Sequence, residues 1–306
     1  MSTEAGGEFE RSAPTGSGAP PAITVVVPVF NAERTLAELL DTLLQQTFGG
    51  SWELILADNN SSDGSIDVAG QYLSRLPLRI VRADAVRGAA HARNVGVREA
   101  RAAKLAFVDA DDVVAKDWLA VIEDALERHE VVVSRFDKVR LNSPELQSLR
   151  NLVQERGLAQ HDYAAFLPHA GGSGLAVRRE AHERIGGFDE RLRRLQDTDY
   201  TWRLQLAGFA LHFEPKAVLH VRFRAAGRQS LAQAFHYGRF DGMLYDKYRH
   251  LGMEKVPMTR DLRLIASQAL TLLLRPRRGS RAKRLRSLAN RVGIVVGRCE
   301  GVWRPR

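Results

Sequence analysis

Cysteine occurs once in the 306 residues, at Cys299, so no internal disulfide can form and nothing requires an oxidising compartment. Long apolar runs are also missing. The longest candidate, Leu264 to Leu274, falls short of the roughly 18 to 20 residues that span a bilayer and carries Ser267 and Gln268. The N-terminus has acids at Glu4, Glu8 and Glu10 where a secretion signal has basic residues and an apolar core. A cytoplasmic protein is expected from these absences. What is present is ordinary for a globular chain: 44% of the residues are apolar, enough for one large domain or two small ones. Wholesale disorder, a collagen-like repeat and a disulfide scaffold are excluded.

The net charge of +9 is unevenly placed. Residues 260–306 hold 13 Lys plus Arg against Asp261 and Glu300, leaving 32 basic and 34 acidic groups in residues 1–259. A basic tail of this kind suits an anionic lipid surface, or it is simply a solvated end. Nucleic acid is not expected as a partner, because the main part of the chain has no basic excess.

Residues 1–22 are mostly Gly, Pro, Ser, Ala and Glu, so burial cannot offset the entropy of ordering them, and a disordered leader is expected. An alternation follows. Strands are predicted at 23–29, 52–57, 78–81 and 105–108, with helices at 34–46, 63–75 and 88–102 between them. Apolar strands separated by amphipathic helices argue for an α/β domain with a mainly parallel sheet covered on both faces. The expected division is a leader over 1–22, this domain over 23–225, and a helical, basic C-terminal extension over 226–306.

In such sheets ligands collect beyond the carboxyl ends of the strands. Strand one ends in Pro28-Val29-Phe30-Asn31, strand two in Asp58-Asn59-Asn60-Ser61-Ser62-Asp63, and strand four in Asp109-Ala110-Asp111-Asp112. The first two are compatible with plain caps and turns. Three carboxylates in four residues are not, because they repel one another unless a cation lies between them, and oxygen ligands of this kind suit Mg²⁺ or Mn²⁺. Arg87-Gly88 through Arg93-Asn94 forms a Gly-led helix start with the character of an anion clamp, but it has neither GxGxxG nor GxxxxGK[ST]. Further on, Gly171-Gly172-Ser173-Gly174 is a flexible loop, and Gln196-Asp197-Thr198-Asp199 opens a helix with two acids.

The ordered set VVVPVFNAERTLAELLDTLLQQT, ELILADNNSSDGS, RGAAHARNVGVREA, FVDADD, GGSGLAVRREAHERIGGFDE and QDTDYTWRLQLAGF resembles the family 2 inverting glycosyltransferases, over roughly residues 25–225. The resemblance implies the GT-A nucleotide-sugar transferase fold and a UDP-, GDP- or dTDP-sugar donor with a hydroxyl acceptor, which is a glycan, a lipid-linked molecule or a small molecule. It implies that Pro28, Phe30 and Asn31 line the nucleotide site, that Asp58 binds the base, and that Arg93 lies beside the ribose or diphosphate. Asp109 and Asp111 match the family's DxD, with Asp111 as the direct metal ligand and Asp112 beside it. His220 falls where relatives complete the metal site, although a lone His is equally compatible with a packed residue. Asp197 matches the catalytic base, but the usual Glu-Asp pair reads Gln196-Asp197 here. Trp202 borders either the acceptor or the core, and its helical spacing with Leu206 favours core.

Other readings stay open at this level. Asp109-Ala110-Asp111-Asp112-Val113-Val114 also fits haloacid-dehalogenase-like phosphatases, with Asp109 as nucleophile and Asp111 as acid, although that family places the motif on its first strand. A non-catalytic binding module, silenced by Gln196, is a third reading. In the tail, Leu285, Leu288, Val292, Val295, Val296 and Cys299 fall on one helix face edged by Arg284, Arg291 and Arg298. That face suits a membrane interface or packing on the main domain, and Gly293 and Gly297 are expected to weaken the helix.

Overall fold

A computed structural model of the chain describes residues 19–149, 154–223, 231–274 and 278–300. Residues 1–18 of the expected leader and 301–306 of the tail lie outside it. The backbone divides into two compact units, Met1–Ala159 with Ala170–Phe223, and Gln160–His169 with Arg224–Arg306.

The first unit alternates strands and helices: β1 (Ile23–Val29), α1 (Leu36–Leu44), β2 (Trp52–Asp58), α2 (Ser65–Gly70), β3 (Leu78–Arg82), α3 (Ala89–Glu99), β4 (Lys104–Phe107) and β5 (Val113–Val114). It continues with α4 (Trp118–Arg128), β6 (Val131–Asp137), α5 (Pro144–Leu149), β7 (Leu175–Arg178), α6 (Arg179–Arg184), α7 (Gln196–Leu206) and β8 (Leu211–His220). The strands form one eight-stranded sheet in the order β3-β2-β1-β4-β7-β6-β8-β5. β1, β2, β3 and β4 run parallel, β6 runs parallel to β8, and β7 is antiparallel to both of its neighbours.

Side-chain alternation explains why both faces are covered. In β1, Val25 and Val27 join a core that includes Leu36, Leu40, Leu119 and Ile122 from α1 and α4. Val26 points the other way, into a core with Ala90, Val97, Ala181, Tyr200 and Leu204 from α3, α6 and α7. Trp202 of α7 is fully buried, so it belongs to the core and offers no face to an acceptor. The helix expected over 63–75 stops at Gly70, where glycine's conformational entropy favours the turns that follow.

Strand order places the site. β2 and β3 lie on one side of β1 and β4 on the other, so the chain reverses its direction of travel across the sheet between β1 and β4. β4 pairs with β1 only as far as Val26↔Phe107, beyond which the two strands part and leave a crevice at their carboxyl ends. Pro28 lies just past that parting, where its missing N–H costs no bond to β4.

The second unit contains α8 (Leu231–Tyr248), α9 (Met258–Leu274) and α10 (Arg278–Cys299). Gly293 and Gly297, expected to weaken α10, lie at its main contact. A Cβ on Gly293 would lie 2.1 Å from Phe235 O and one on Gly297 2.0 Å from Arg239 O. Reciprocally, a Cβ on Gly238 would meet Asn290 O at 1.9 Å and one on Gly242 would meet Ile294 O at 2.1 Å. Two glycine pairs, each four residues apart, thus let the backbones of α8 and α10 touch, and dispersion across that seam replaces side-chain interdigitation. The face of α10 that packs is therefore Gly293, Ile294 and Gly297, while Val292 and Cys299 of the apolar stripe stay exposed. A buried carboxylate ties in α9: Asp261 accepts from Arg298 Nη1 at 2.7 Å and from Tyr163 Oη at 2.5 Å, and Arg291 Nη1 lies 3.4 Å away. Gly242→Val is expected to force the seam apart and destabilise the unit by about 2–3 kcal/mol, the usual scale of overpacking, read as an earlier transition in urea with loss of helical signal.

Candidate active site

The crevice is built from four strand ends. At the end of β1, Phe30 is exposed and lies beneath Arg87, whose guanidinium carbon is 5.0 Å from the ring centroid. Asn31 adopts φ +50°, which asparagine tolerates, and its Oδ1 accepts from Ser62 N at 2.8 Å. Asp58, the last residue of β2, is buried and accepts from Ser61 N. Asn59 crosses to the next loops, donating to Ala83 O and Val86 O and accepting from Gly88 N at 2.7 Å. Phe30, Asn31, Asp58 and Arg87 therefore share one rim, held by short polar side chains that satisfy the loop backbone.

The acidic cluster occupies the other wall. A turn from Asp109 O to Asp112 N, 3.1 Å, follows β4, and it brings one carboxylate oxygen from each of Asp109, Asp111 and Asp112 within 4.8 Å of the others. Asp112 is the buried member. Burial, reinforced by the charges of Asp109 and Asp111, raises its carboxyl to about 8, although Ser173 Oγ and Arg222 N both donate to it. The cluster is thus short of positive charge, and its oxygen donors fit a hard divalent cation. His220 is not part of this group; its Nδ1 lies 2.8 Å from Asp137 Oδ1, which leaves Nε2 for any further ligand.

Arg93 lies beneath the cluster. It is almost fully buried, contacts Asp109 Oδ1 through Nη2 at 2.5 Å, and its Cζ lies 5.3 Å from the centroid of the Phe188 ring, which in turn stacks on Tyr200. Among the described residues its Nε and Nη1 have no acceptor. Buried donors are seldom left orphaned, and two on one guanidinium beside a carboxylate cluster suit the oxygens of a phosphate-bearing ligand.

The loop 171–174 joins the walls. Gly172 packs so tightly on Arg93 that a Cβ would lie 2.8–3.0 Å from three guanidinium atoms. Its N–H donates to Asp197 Oδ2 at 3.2 Å. Ser173 Oγ donates to Asp112 Oδ2 at 2.7 Å and accepts from Asp109 N at 3.0 Å. Gly174, at φ +74°, presses against Ser134. The two acids that open α7 separate in role: Asp199 is fully buried on Arg203 Nε at 2.7 Å, whereas Asp197 is half-buried and turned to Gly172. The structure thus brings Asp109, Asp111, Asp112, Arg93 and Asp197 around one loop, with Phe30, Asn31 and Asp58 at the rim.

Sequence reasoning missed Ser173, Asn59 and Arg222. Arg222 donates through its backbone to Asp112 and through Nε to Asp111 O at 3.0 Å, and pairs with Glu38. For Ser173 and Arg222 the signal is proximity in space to the acids, which no spacing in the sequence carries, whereas Asn59 acts on the loop backbone at Ala83, Val86 and Gly88.

Known proteins share the fold that carries this site. The model of the family described as "Glycosyl transferase family 2" matches residues 24–186. The glycosyltransferase AglE of Haloferax volcanii is 26% identical over 201 residues, 63% of this chain and 64% of that protein, so the match spans just under two thirds of the relative's length. The mannosyltransferase PcManGT of Pyrobaculum calidifontis, solved with GDP-Man and Mn²⁺, superposes with a TM-score of 0.62 at 21% identity, covering 95% of this chain and 91% of its own. S. aureus TarS 1-349 in complex with UDP superposes with a TM-score of 0.54 at 16% identity, covering 90% of each chain. At those identities the likeness establishes the fold, and it is the GT-A fold expected from the motifs.

Two outcomes test the site's geometry. Because the folded-state pKa of Asp112 lies above its ordinary value, the folded chain keeps a proton that the unfolded chain releases. The stability from this group is complete below about pH 4 and is lost as pH rises to about 8. In chelator, Asp112→Asn should flatten that decline and gain on the order of 2 kcal/mol on the parent between pH 5 and pH 8, measured by thermal denaturation. Gly172→Ala should cost about 1–3 kcal/mol in urea denaturation, since buried Arg93 cannot retreat from the new methyl group.

Proposed function

The chain belongs to glycosyl transferase family 2, and we propose that it transfers a sugar, with inversion, from a nucleoside-diphosphate donor to a hydroxyl acceptor. The observation that carries this reading is the loop 171–174, which holds a base candidate and an acidic cluster suited to a divalent cation on neighbouring residues. Pro28, Phe30, Asn31 and Asp58 receive the nucleotide. Arg93 offers its two orphaned donors to the ribose or diphosphate.

A divalent cation, Mg²⁺ or Mn²⁺, fits Asp109, Asp111 and Asp112, and when bound it neutralises the leaving diphosphate. His220 Nε2 remains a candidate for the same ion. Asp197 takes the proton of the acceptor hydroxyl as that oxygen attacks the anomeric carbon from the side opposite the leaving group. The N–H groups of Gly172 and Thr198 fix its two oxygens, so the carboxylate is oriented before substrate arrives. Gln196 removes a second negative charge beside the base without removing the base. The phosphatase reading loses its footing, because Asp109 follows the fourth strand of a GT-A sheet.

Donor binding and chemistry separate experimentally. A nucleotide sugar of the right class, at about 100 Kd with Mn²⁺, should stabilise the protein by roughly 2.7 kcal/mol in thermal denaturation. That shift should vanish in Asp111→Ala. Asp197→Asn should keep the shift and lower transfer on the order of 10² to 10⁴-fold. Absence of a shift with UDP-, GDP- and dTDP-sugars alike defeats the donor assignment, and undiminished transfer in Asp197→Asn removes that residue from the role of base.

A further inference from the structure

Helix α9 is apolar on its exposed side. Leu262, Ala266, Leu270 and Leu274 repeat every fourth residue and so form one stripe, and all four are exposed, the leucines by 51%, 56% and 70%. The opposite face is the one that packs: Asp261 is buried in its ion pairs, and Gln268 Nε2 donates to Ser287 Oγ of α10 at 3.1 Å. An exposed row of leucines on a helix that is already anchored marks a contact surface rather than a core.

Charge identifies what covers it. Arg260 and Arg263 are exposed beside the stripe, and residues 260–286 hold nine Lys plus Arg against one acid. That acid, Asp261, is already spent on Arg291 and Arg298. A second copy of this chain would bring an equally basic face against the first, whereas an anionic lipid surface offers both apolar depth and opposite charge. At 17 residues α9 is about 25 Å long, and among the described residues no helix is long and apolar enough to cross a membrane. We propose that α9 lies in the plane of an anionic bilayer surface, with Leu262, Leu270 and Leu274 in the acyl boundary and Arg260 and Arg263 among the headgroups. The docking face is thus α9.

The test is co-sedimentation of the full chain with phosphatidylcholine vesicles, with and without phosphatidylglycerol, at about 0.1 M salt, where surface charges still act over about 10 Å. Binding should require phosphatidylglycerol and weaken as salt is raised. Each basic group at such a surface is worth about fivefold in partitioning, so Arg260→Ser with Arg263→Ser should cost about 25-fold. Leu270→Glu with Leu274→Glu should cost at least about tenfold, since two charges replace the inserted side chains. All four positions are exposed, so circular dichroism and the urea transition should match the parent. Equal binding to both vesicle types, no binding to either, or undiminished binding in both variants overturns the proposal. So does a dimer in sedimentation velocity that Leu270→Glu abolishes, because the stripe is then covered by a second copy.

Discussion

Repulsion among Asp109, Asp111 and Asp112 is the constraint around which the first unit is arranged. Three carboxylates on one turn are costly to hold together, and the protein does so with hydrogen bonds rather than with a buried counter-charge on every member. Ser173 and the backbone of Arg222 bind Asp112, while Arg93 binds Asp109. Burial, with the charges of Asp109 and Asp111 added to it, still raises the Asp112 carboxyl to about 8. Local instability of this sort is common where a ligand supplies the missing charge.

The same hydrogen bonds position the remaining chemistry. Ser173 cannot bind the cluster unless Gly172 sits against Arg93, and Gly172 in that place aims its N–H at Asp197. Arg93 in turn is held flat by Phe188 and Tyr200, so the aromatic stack beneath it sets the height of the guanidinium. Donor wall, cluster and base are therefore linked through four consecutive residues, three of them glycines, because only a backbone without side chains fits between a buried arginine and a helix start.

The second unit follows a different rule. Its helices α8 and α10 meet through glycines at backbone distance, and its fully buried acid, Asp261, pairs with two arginines and accepts from a tyrosine. With α10 turned glycine-inward and α9 tied down by Asp261, the leucines of α9 have nowhere to go but outward. Packing economy on one side of the unit thus creates the surface on the other.

The sequence by itself determined the order of strands and helices, because a period of two or of 3.6 in apolar residues is a local property. β1 falls where that pattern places it, and the DxD that follows β4 is visible as clustered like charge. The motif order carried the family as well. Tertiary structure alone decided that β7 runs against its neighbours and that His220 Nδ1 meets Asp137. It alone decided that Asp197 and Asp199 divide into an open and a buried acid, and that Gly293 and Gly297 lie at a helix contact. Each of these depends on which distant backbone comes within a few ångströms, and composition and spacing carry no record of that.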